Sequence, residues 1–255
     1  MGICIAKLVG SGKLRFDQKI GTVIAAYFSK NPPKDVRAKR ITIAQLLTHT
    51  SGIANDPTQG AELDQFQPFS SVSMEHQLNA ALSAPLGRIP GSQFAYNNIN
   101  YAALGIVIQT VTGEEYDRYC SREVLEPVGV HDARLNPDWR IMGAYGGWKI
   151  SAEDYAKFLG YFDPSRQLLR ISPAKWPKAD LIGASYGLGT LMRQTSSGYN
   201  FWHFGSWTRN FPSASFGAYF AVWGGTVGVV ANYSPAITGK AERDLDVVLF
   251  DAVFR

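Results

Sequence analysis

Apolar residues recur at intervals of three and four through the middle of the chain, which is the spacing of one face of an α-helix. Two of these segments close on a glycine, a residue that commonly follows the last turn of a helix. Another begins at Ser151 and has Asp154 three positions further on, the arrangement of a capping box. The pattern predicts helices over residues 41–49, 74–84, 99–113, 115–129 and 151–162.

After about residue 186 the pattern changes to runs of aromatic and β-branched residues, which favour extended strands. Gly224-Gly225 stands between two such runs, where a two-residue hairpin turn is expected. The closing segment, residues 241–254, repeats apolar residues at helical spacing and predicts an amphipathic helix that covers one face of the sheet. The runs predict consecutive antiparallel strands over residues 185–192, 199–205, 214–223 and 226–233.

The order of these elements predicts an α+β fold, in which a helical region is inserted ahead of an antiparallel sheet covered by helices. We divide the chain into residues 1–20, the remainder of an opening helix, residues 21–145, mainly helical, and residues 146–255, the sheet with its covering helix. The opening helix has no Ser, Thr, Asp or Asn ahead of Gly2 to accept its first N–H groups. We therefore expect its true start to precede Met1.

Composition and charge exclude several classes of function. The net charge of the 255 residues is only +4, and the basic residues between Lys34 and Arg40 are interrupted by Asp35, so neither nucleic acid nor an anionic membrane is a predicted partner. The longest apolar stretch, residues 216–231, is broken by glycines and predicts strands rather than a membrane-spanning helix. Cys4 and Cys120 are expected to be buried as small apolar side chains.

No metal site or cofactor is predicted either. The histidines are far apart and lack H-E-x-x-H spacing, and the cysteines lack C-x-x-C spacing. Glycine pairs such as Gly187 and Gly189 do not match a dinucleotide-binding pattern. The four histidines are His49, His76, His131 and His203.

The segment PGSQFAYNNINYAALGIVIQTVTG, residues 90–113, carries the strongest functional signal. Alone, a Tyr-Asn-Asn loop ahead of a helix is most simply interpreted as capping. Its neighbours change that interpretation: ITIAQLLTHTSGI lies upstream, EVLEPVGV and AYGGWKISAEDYAKF follow, and WHFGSWTRNFPSASFGAYF comes later. In this order and spacing, the segments resemble the serine β-lactamase and penicillin-binding protein superfamily. Within that superfamily they are most similar to the class C-like branch of esterases and D-amino-acid peptidases.

The resemblance covers the chain from Ile3 onward and implies a β-lactamase/transpeptidase-like fold. In this family the helix that carries the nucleophile begins with S-x-x-K, whose serine attacks the acyl carbon. LVGSGKLRFDQKI, residues 8–20, resembles the rear of that helix and puts the family's lysine about three, and its serine about six, residues before Met1. The resemblance therefore implies an N-terminally truncated chain that lacks both the nucleophile and the strands that precede it.

The resemblance also implies roles for residues that are present. Tyr96 would relay a proton from the serine to the leaving group, and Asn98 would hydrogen-bond the acyl side of the substrate. His203 would face the Tyr96 hydroxyl from the motif His203-Phe204-Gly205, and the N–H of Ser206 would be one oxyanion donor. Arg209 is a candidate anchor for a substrate carboxylate, although an exposed loop arginine is the simpler interpretation.

Two positions depart from the family pattern. Asn97 stands where serine or alanine is usual, with a side chain that we expect to point away from the pocket. Phe204 replaces a threonine whose hydroxyl helps hold the carboxylate of β-lactams and peptides, which favours esters or amides of lower charge. His49 and Ser51, in the segment THTSG, are expected to hold their loop beside the site.

The chain contains one S-x-x-K match of its own, Ser172-Pro173-Ala174-Lys175. Pro173 and the following Trp176-Pro177 favour a loop at this point, and one match by chance is expected in a chain this rich in serine. We therefore do not assign the nucleophile to Ser172.

Two classes of function follow from the sequence. The first is a serine acyl hydrolase acting on a small ester or amide through an acyl-enzyme, with the nucleophile outside residues 1–255. The second is a non-catalytic binding or scaffold protein of the same fold. In the second, the sheet edge left without its preceding strands would pair with a partner or with another copy of the chain.

Overall fold

The computed structural model describes residues 1–59, 73–137, 142–209 and 214–255. Strands β3 to β8 form a six-stranded antiparallel sheet in the order β3-β4-β5-β6-β7-β8, and a separate short pair joins β1 to β2. The α+β fold predicted from the sequence is confirmed. The strands are β1 Arg134–Leu135, β2 Trp148–Lys149, β3 Ala179–Leu181, β4 Ala184–Gly187, β5 Thr190–Thr195, β6 Gly198–Arg209, β7 Ala214–Trp223 and β8 Val227–Tyr233.

The helices occupy the first half of the chain and its end. Sequence periodicity located α5 and α6 closely, and Gly113 ends α6 in the left-handed conformation (φ 71°) that glycine adopts without steric cost. The helices are α1 Gly2–Gly10, α2 Ile20–Val23, α3 Ala25–Lys30, α4 Ile43–Leu47, α5 Met74–Leu82, α6 Ile99–Thr112, α7 Tyr116–Cys120, α8 Ala152–Phe158 and α9 Lys240–Phe254.

Three predicted elements are divided in the structure, and in one of them, 151–162, α8 is followed by a 3₁₀ turn (Leu159–Phe162). The stretch 115–129 contains α7, a π-helical turn (Ser121–Leu125) and a 3₁₀ turn (Glu126–Val128). Pro127 supplies no N–H there, so a regular α-helix cannot continue through it. The strand predicted over 185–192 is split into β4 and β5 by a turn at Leu188 and Gly189, both with positive φ.

The main hydrophobic core lies between the helices and one face of the sheet. Helix α1 is buried along most of its length, with Ile3, Ile5 and Leu8 each no more than 2% exposed. On the sheet side Phe201 and Phe220 pack against Phe162, with ring centroids 4.8 and 5.4 Å apart. Because side chains alternate along a strand, His203 of β6 lies on this same inner face.

The opposite face of the sheet carries α9. Trp223 contacts Phe250 and Phe254 of this helix, at centroid distances of 5.6 and 5.4 Å. The helix is only partly buried against the sheet, since Phe250 and Phe254 are 41% and 47% exposed and Val248 and Val253 of the apolar repeat are 62% and 40% exposed.

Cys4 of α1 and Cys120 of α7 form a disulfide, with their Cα atoms 5.7 Å apart. The expectation that both are unpaired apolar side chains was wrong, although both are buried. Packing of α1 against the end of α7 brings together two cysteines separated by 116 residues, a proximity that their spacing in the sequence does not reveal.

Removal of this disulfide should destabilise the protein. We expect the double substitution Cys4→Ser with Cys120→Ser to lower the free energy of unfolding by about 2–5 kcal/mol, because the closed loop is long and its closure restricts the unfolded chain. Urea denaturation followed by circular dichroism measures the change. The same loss should occur in wild-type protein treated with a reductant, and an unchanged midpoint in reductant would contradict the expectation.

Candidate active site

Two loops meet where the helical region joins the sheet: residues 48–58 after α4 and residues 94–98 before α6. The side-chain amide of Asn97 donates to the carbonyl of Ile53 (3.2 Å), and its oxygen accepts from the N–H of Ile99 (2.8 Å), inside the first turn of α6. The N–H of Asn98 donates to Oδ2 of Asp56 (2.9 Å). These bonds fix the two loops against each other on either side of Tyr96.

Tyr96 is open to solvent on one side, with 52% of its surface exposed. Burial of the rest of the side chain, and secondarily the negative charge of Asp56, raises the pKa of Tyr96 to about 12. Its phenol is therefore protonated at neutral pH. To take up a proton from another group it would need a neighbouring cation that stabilises the phenolate.

His203 faces Tyr96 from β6, with the ring centroids 6.4 Å apart. Burial lowers the pKa of His203 to about 4, so its imidazole is neutral at physiological pH. Nε2 of His203 lies 3.4 Å from the hydroxyl oxygen of Tyr186 in β4.

A short series of side chains leads from His203 to the end of α4. Tyr186 interacts with Tyr101, whose hydroxyl donates to the carbonyl of Leu47 (3.1 Å). Two tyrosines thus connect the His203 side of the cleft to α4.

Strand β6 extends beyond its neighbour β5 and presents backbone groups at an open edge. The β5 pairing ends at Trp202, whose carbonyl accepts from the Thr190 hydroxyl (3.0 Å) and so points toward β5. Alternate residues of a strand direct their backbone groups to the same side, so the N–H groups of Phe204 and Ser206 lie along this edge. The Ser206 hydroxyl is turned elsewhere and donates to the carbonyl of Ile237 (2.8 Å).

The Phe204 ring lies on the face of β6 opposite His203. It stacks on Tyr219 of β7 at a centroid distance of 4.1 Å, and the Tyr219 hydroxyl bonds to Asp246 of α9. Phe204 thus contributes its backbone to the rim of the cleft while its side chain attaches the sheet to α9. The residue that replaces the family's threonine offers no hydroxyl there.

Two adjoining spaces surround these groups. An inner cavity of about 330 Å³ is bounded by the start of α1, at Met1 and Gly2, and by Tyr96 and His203. An outer cleft of about 1020 Å³ shares Tyr96 and His203 with it and continues past Ser206. In the described part of the chain, neither Lys nor Arg lines the inner cavity, which is mainly aromatic and aliphatic.

Comparison with known proteins places this arrangement in a family. The model of the Beta-lactamase family matches residues 1–238 of the chain. The chain belongs to the Beta-lactamase family.

Three known proteins are similar to this chain. The chain is 30% identical over 134 residues to a putative D-alanyl-D-alanine carboxypeptidase of Escherichia coli (strain K12), a match that covers 52% of this chain and 30% of that protein. A D-stereospecific amidohydrolase from Streptomyces sp. is 18% identical, with a TM-score of 0.73 over 96% of this chain and 82% of that one. The octameric penicillin-binding protein homologue from Pyrococcus abyssi is 20% identical, with a TM-score of 0.70 over 92% of this chain and 59% of that one. The last two likenesses concern the fold.

The fold of the Beta-lactamase family brings four residues singled out from the sequence to the cleft. Tyr96, His203 and Gly205 line both spaces, while Asn98 borders the outer cleft. The side-chain amide of Asn98 donates to the hydroxyl of Thr58 (3.0 Å). Asn97 is buried against the 53–55 loop and lines neither space, as its sequence position led us to expect.

Ser206 also lines the outer cleft. Arg209 ends β6, but its side chain lies outside the described residues, so its role as a carboxylate anchor stays a prediction. Ser51 is buried, and its Oγ accepts from the N–H of Ile53 (3.2 Å), which holds the loop. Ser172 is exposed ahead of a 3₁₀ turn (Pro173–Lys175) and lines neither space.

Sequence reasoning missed residues that support the site. Tyr101 lies within α6, where its spacing indicates a core position. Tyr186 lies in a strand that contains none of the family motifs. Asp56 and Thr58 follow the THTSG segment in a stretch without periodicity. A polar residue two positions after an aspartate in a loop is a weak signal for an Asx turn, and Thr58 does donate to Asp56.

In residues 1–59, 73–137, 142–209 and 214–255, no group of three or more His, Cys, Asp or Glu could hold a metal ion. Within the same ranges no helix has the length and apolarity needed to cross a bilayer.

The imidazoles of His49, which is buried, and of His203, which is partly buried, should make the stability fall on mild acidification. The folded-state pKa values of His49 and His203 are about 3 and about 4, against about 6.5 in an unfolded chain, so the unfolded state binds protons first. The free energy of unfolding should therefore fall below pH 6.5, by about 1.4 kcal/mol per pH unit for each histidine.

Urea denaturation at pH 7, 6 and 5 measures this dependence. His203→Asn should reduce the slope of unfolding free energy against pH relative to wild type. A stability that is constant from pH 7 to pH 5 would be inconsistent with neutral imidazoles at His49 and His203.

Proposed function

We propose that the chain is part of a β-lactamase-like serine hydrolase, of the esterase, amidase or D-amino-acid peptidase type, that works through an acyl-enzyme. The serine and lysine of its S-x-x-K motif are assigned to residues that precede Met1. The observation that carries the proposal is the convergence of Tyr96, His203 and the first residues of α1 on one inner cavity. The matched stretch covers only 30% of the E. coli relative, so the activity of the whole protein is part of the proposal.

The start of α1 is well suited to a nucleophile. Met1 and Gly2, at the start of the helix, line the inner cavity. If the helix continues one to two turns upstream, a serine at its start would enter the space between Tyr96 and His203. The partial positive charge at the N-terminus of that longer helix would stabilise an anion that develops on the serine oxygen or on the attacked carbonyl.

The protonation states support a relay rather than a free base. With a pKa near 12, the Tyr96 phenol cannot deprotonate a serine unaided, and the described lining of the inner cavity supplies no Lys or Arg. The lysine of S-x-x-K would provide the missing positive charge. Neutral His203 would act as a hydrogen-bond partner at the far side of the phenol.

The reaction then divides into two steps. In the first, the serine oxygen attacks the acyl carbon, its proton passes through Tyr96 to the leaving alcohol or amine, and the ester or amide bond breaks. In the second, water attacks the acyl-serine, and its proton returns by the same path to the serine oxygen. The Ser206 N–H on the open edge of β6 would donate to the carbonyl oxygen in both steps.

The outer cleft combines aromatic walls with one described lysine. It is lined by Tyr145, Trp148, Trp207 and Lys149, and the Phe204 ring offers no hydroxyl to a carboxylate. An extended acyl chain would lie along the open edge of β6. Backbone N–H groups there can donate hydrogen bonds to it, as they do to an added strand. The carboxypeptidase and amidohydrolase relatives add D-amino-acid derivatives to the substrates worth testing.

A fluorophosphonate probe tests the proposal, because it labels an activated serine. The full-length gene product, including whatever precedes Met1, should gain one probe mass in an intact-mass spectrum. Tyr96→Phe should slow labelling by about 10²- to 10⁴-fold, since it removes the hydroxyl that moves the proton. Tyr199→Phe is a matched control, because Tyr199 lies in β6 but lines neither space.

Absence of labelling in the full-length protein, or equal labelling of Tyr96→Phe and wild type, would refute the catalytic proposal. The scaffold alternative would then explain the fold better, since under it Tyr96→Phe alters nothing beyond stability. Hydrolysis of p-nitrophenyl esters and of D-amino-acid anilides, compared between the same variants, would define the substrate class.

Self-association is a second proposal, favoured by a different observation. Among the described strands, β8 pairs with β7 alone, so its other edge presents backbone groups that a second copy could pair with. The octameric state of the P. abyssi homologue supports the idea that the fold tolerates assembly. Light scattering after size-exclusion chromatography should give a multiple of the monomer mass. A monomer at all concentrations tested would exclude self-association.

A further inference from the structure

His49 lies at the end of α4 in a conformation that side chains rarely adopt. Its φ is 52°, in the left-handed region, and its exposure is 1%. A non-glycine residue held in this region is worth explaining, because such strain persists only where the surrounding contacts determine it. The contacts of His49 all lead to one place.

The backbone and ring of His49 bind both neighbours of Tyr96. Its carbonyl accepts the N–H of Ala95 at 2.8 Å, and its ring Nδ1 accepts the N–H of Asn97 at 3.2 Å. The residues on either side of Tyr96 are therefore fixed to one residue from another loop. Rotation of the Tyr96 backbone would break at least one of these buried hydrogen bonds.

The protonation state of His49 is suited to this role. Nδ1 faces two donors, the Asn97 N–H and the Asn100 side-chain amide at 3.1 Å, so the ring proton must be on Nε2. Burial, with a smaller contribution from His203, lowers the pKa of His49 to about 3. The Nε2 atom has no hydrogen-bond partner among the described residues, so the neutral ring does not act through that atom.

The ring of His49 also sets the plane of the Tyr96 phenol. It lies between Tyr96, at a centroid distance of 4.2 Å and an angle of 33°, and Tyr101, at 5.1 Å and 27°. Tyr186 closes the side of the stack with a centroid distance of 4.9 Å. Tyr96 is half exposed, so this face is the main surface that holds its ring.

We propose that His49 is the positioning residue for Tyr96, fixing its backbone through two hydrogen bonds and its phenol through the ring stack. The inference rests on the proposed function in so far as Tyr96 moves protons. His49 touches neither the substrate nor the reacting atoms in this arrangement. Its contribution acts through Tyr96 alone, which distinguishes it from a residue that merely stabilises the fold.

Two substitutions separate the ring from the acceptor. His49→Phe keeps a ring to stack on Tyr96 but removes the acceptor for the Asn97 N–H, while His49→Asn keeps a short acceptor and tolerates the left-handed backbone. For esterase activity of the full-length protein, we expect kcat to fall by about 10- to 100-fold in each variant, with KM changed by less than about threefold. His131→Asn, at an exposed histidine remote from the cleft, should match wild type.

A double-mutant cycle provides the decisive readout. If His49 acts through Tyr96, then His49→Asn should cause no further loss of kcat when it is added to Tyr96→Phe. Independent losses that multiply would overturn the proposal, as would an effect of His49→Asn confined to KM. If His49→Phe fails to fold, His49→Asn alone still tests the proposal.

A second measurement does not depend on activity and separates failure of this inference from failure of the proposed function. Nitrogen-15 NMR of the imidazoles should show His49 as the neutral Nε2–H tautomer at pH 5. Slow hydrogen exchange at the Ala95 and Asn97 amides should be lost for Asn97 in His49→Phe. If wild type is inactive but shows the neutral His49 tautomer and the slow amide exchange, His49 positions Tyr96 and the proposed catalysis fails. If His49 titrates near pH 6.5, the hydrogen bonds proposed for His49 are wrong.

Discussion

Neither of the two loops beneath the cleft could be buried without the other. Each carries polar groups into a region that water does not reach, and a buried donor or acceptor without a partner destabilises the fold by about 1–3 kcal/mol. His49 and Asp56 accept N–H groups of the facing loop, and Asn97 donates to a carbonyl of it. Reciprocal hydrogen bonding of this kind holds Tyr96 at the junction of helices and sheet, and the remaining geometry of the site follows from it.

The sheet supplies the other half of the site through a difference in strand length. Because β6 continues past the point where β5 ends, its inner face offers His203 and its edge offers backbone donors at the same place. The series of side chains from His203 through Tyr186 and Tyr101 reaches Leu47, at the end of α4. His203 and His49 are thus connected to the same stretch of backbone, so the two faces of the cleft are aligned by shared neighbours rather than by direct contact.

Local signals allowed much of the fold to be predicted. Periodicity and a terminal glycine located α6, and Gly224-Gly225, both with positive φ, gave the hairpin between β7 and β8. Tyr96 and His203 were selected by the order of motifs along the chain. Pairings between distant segments could not be found in this way: Tyr186 contacts His203 from a strand without a motif, and the disulfide joins residues 116 apart. The turn that separates β4 from β5 uses Leu188 at positive φ, a choice that propensity argues against.

The disulfide has a topological consequence for the site. It closes a covalent ring from Cys4 to Cys120 that contains His49, Tyr96 and both buried loops, whereas His203 and the sheet lie on the linear arm that follows. A single backbone cleavage between residues 5 and 119 would leave the two pieces joined, and the tyrosine wall of the cleft would remain tethered to α1. The cleft is therefore formed between a cyclised segment and an open one, and the two differ in how they withstand a protease.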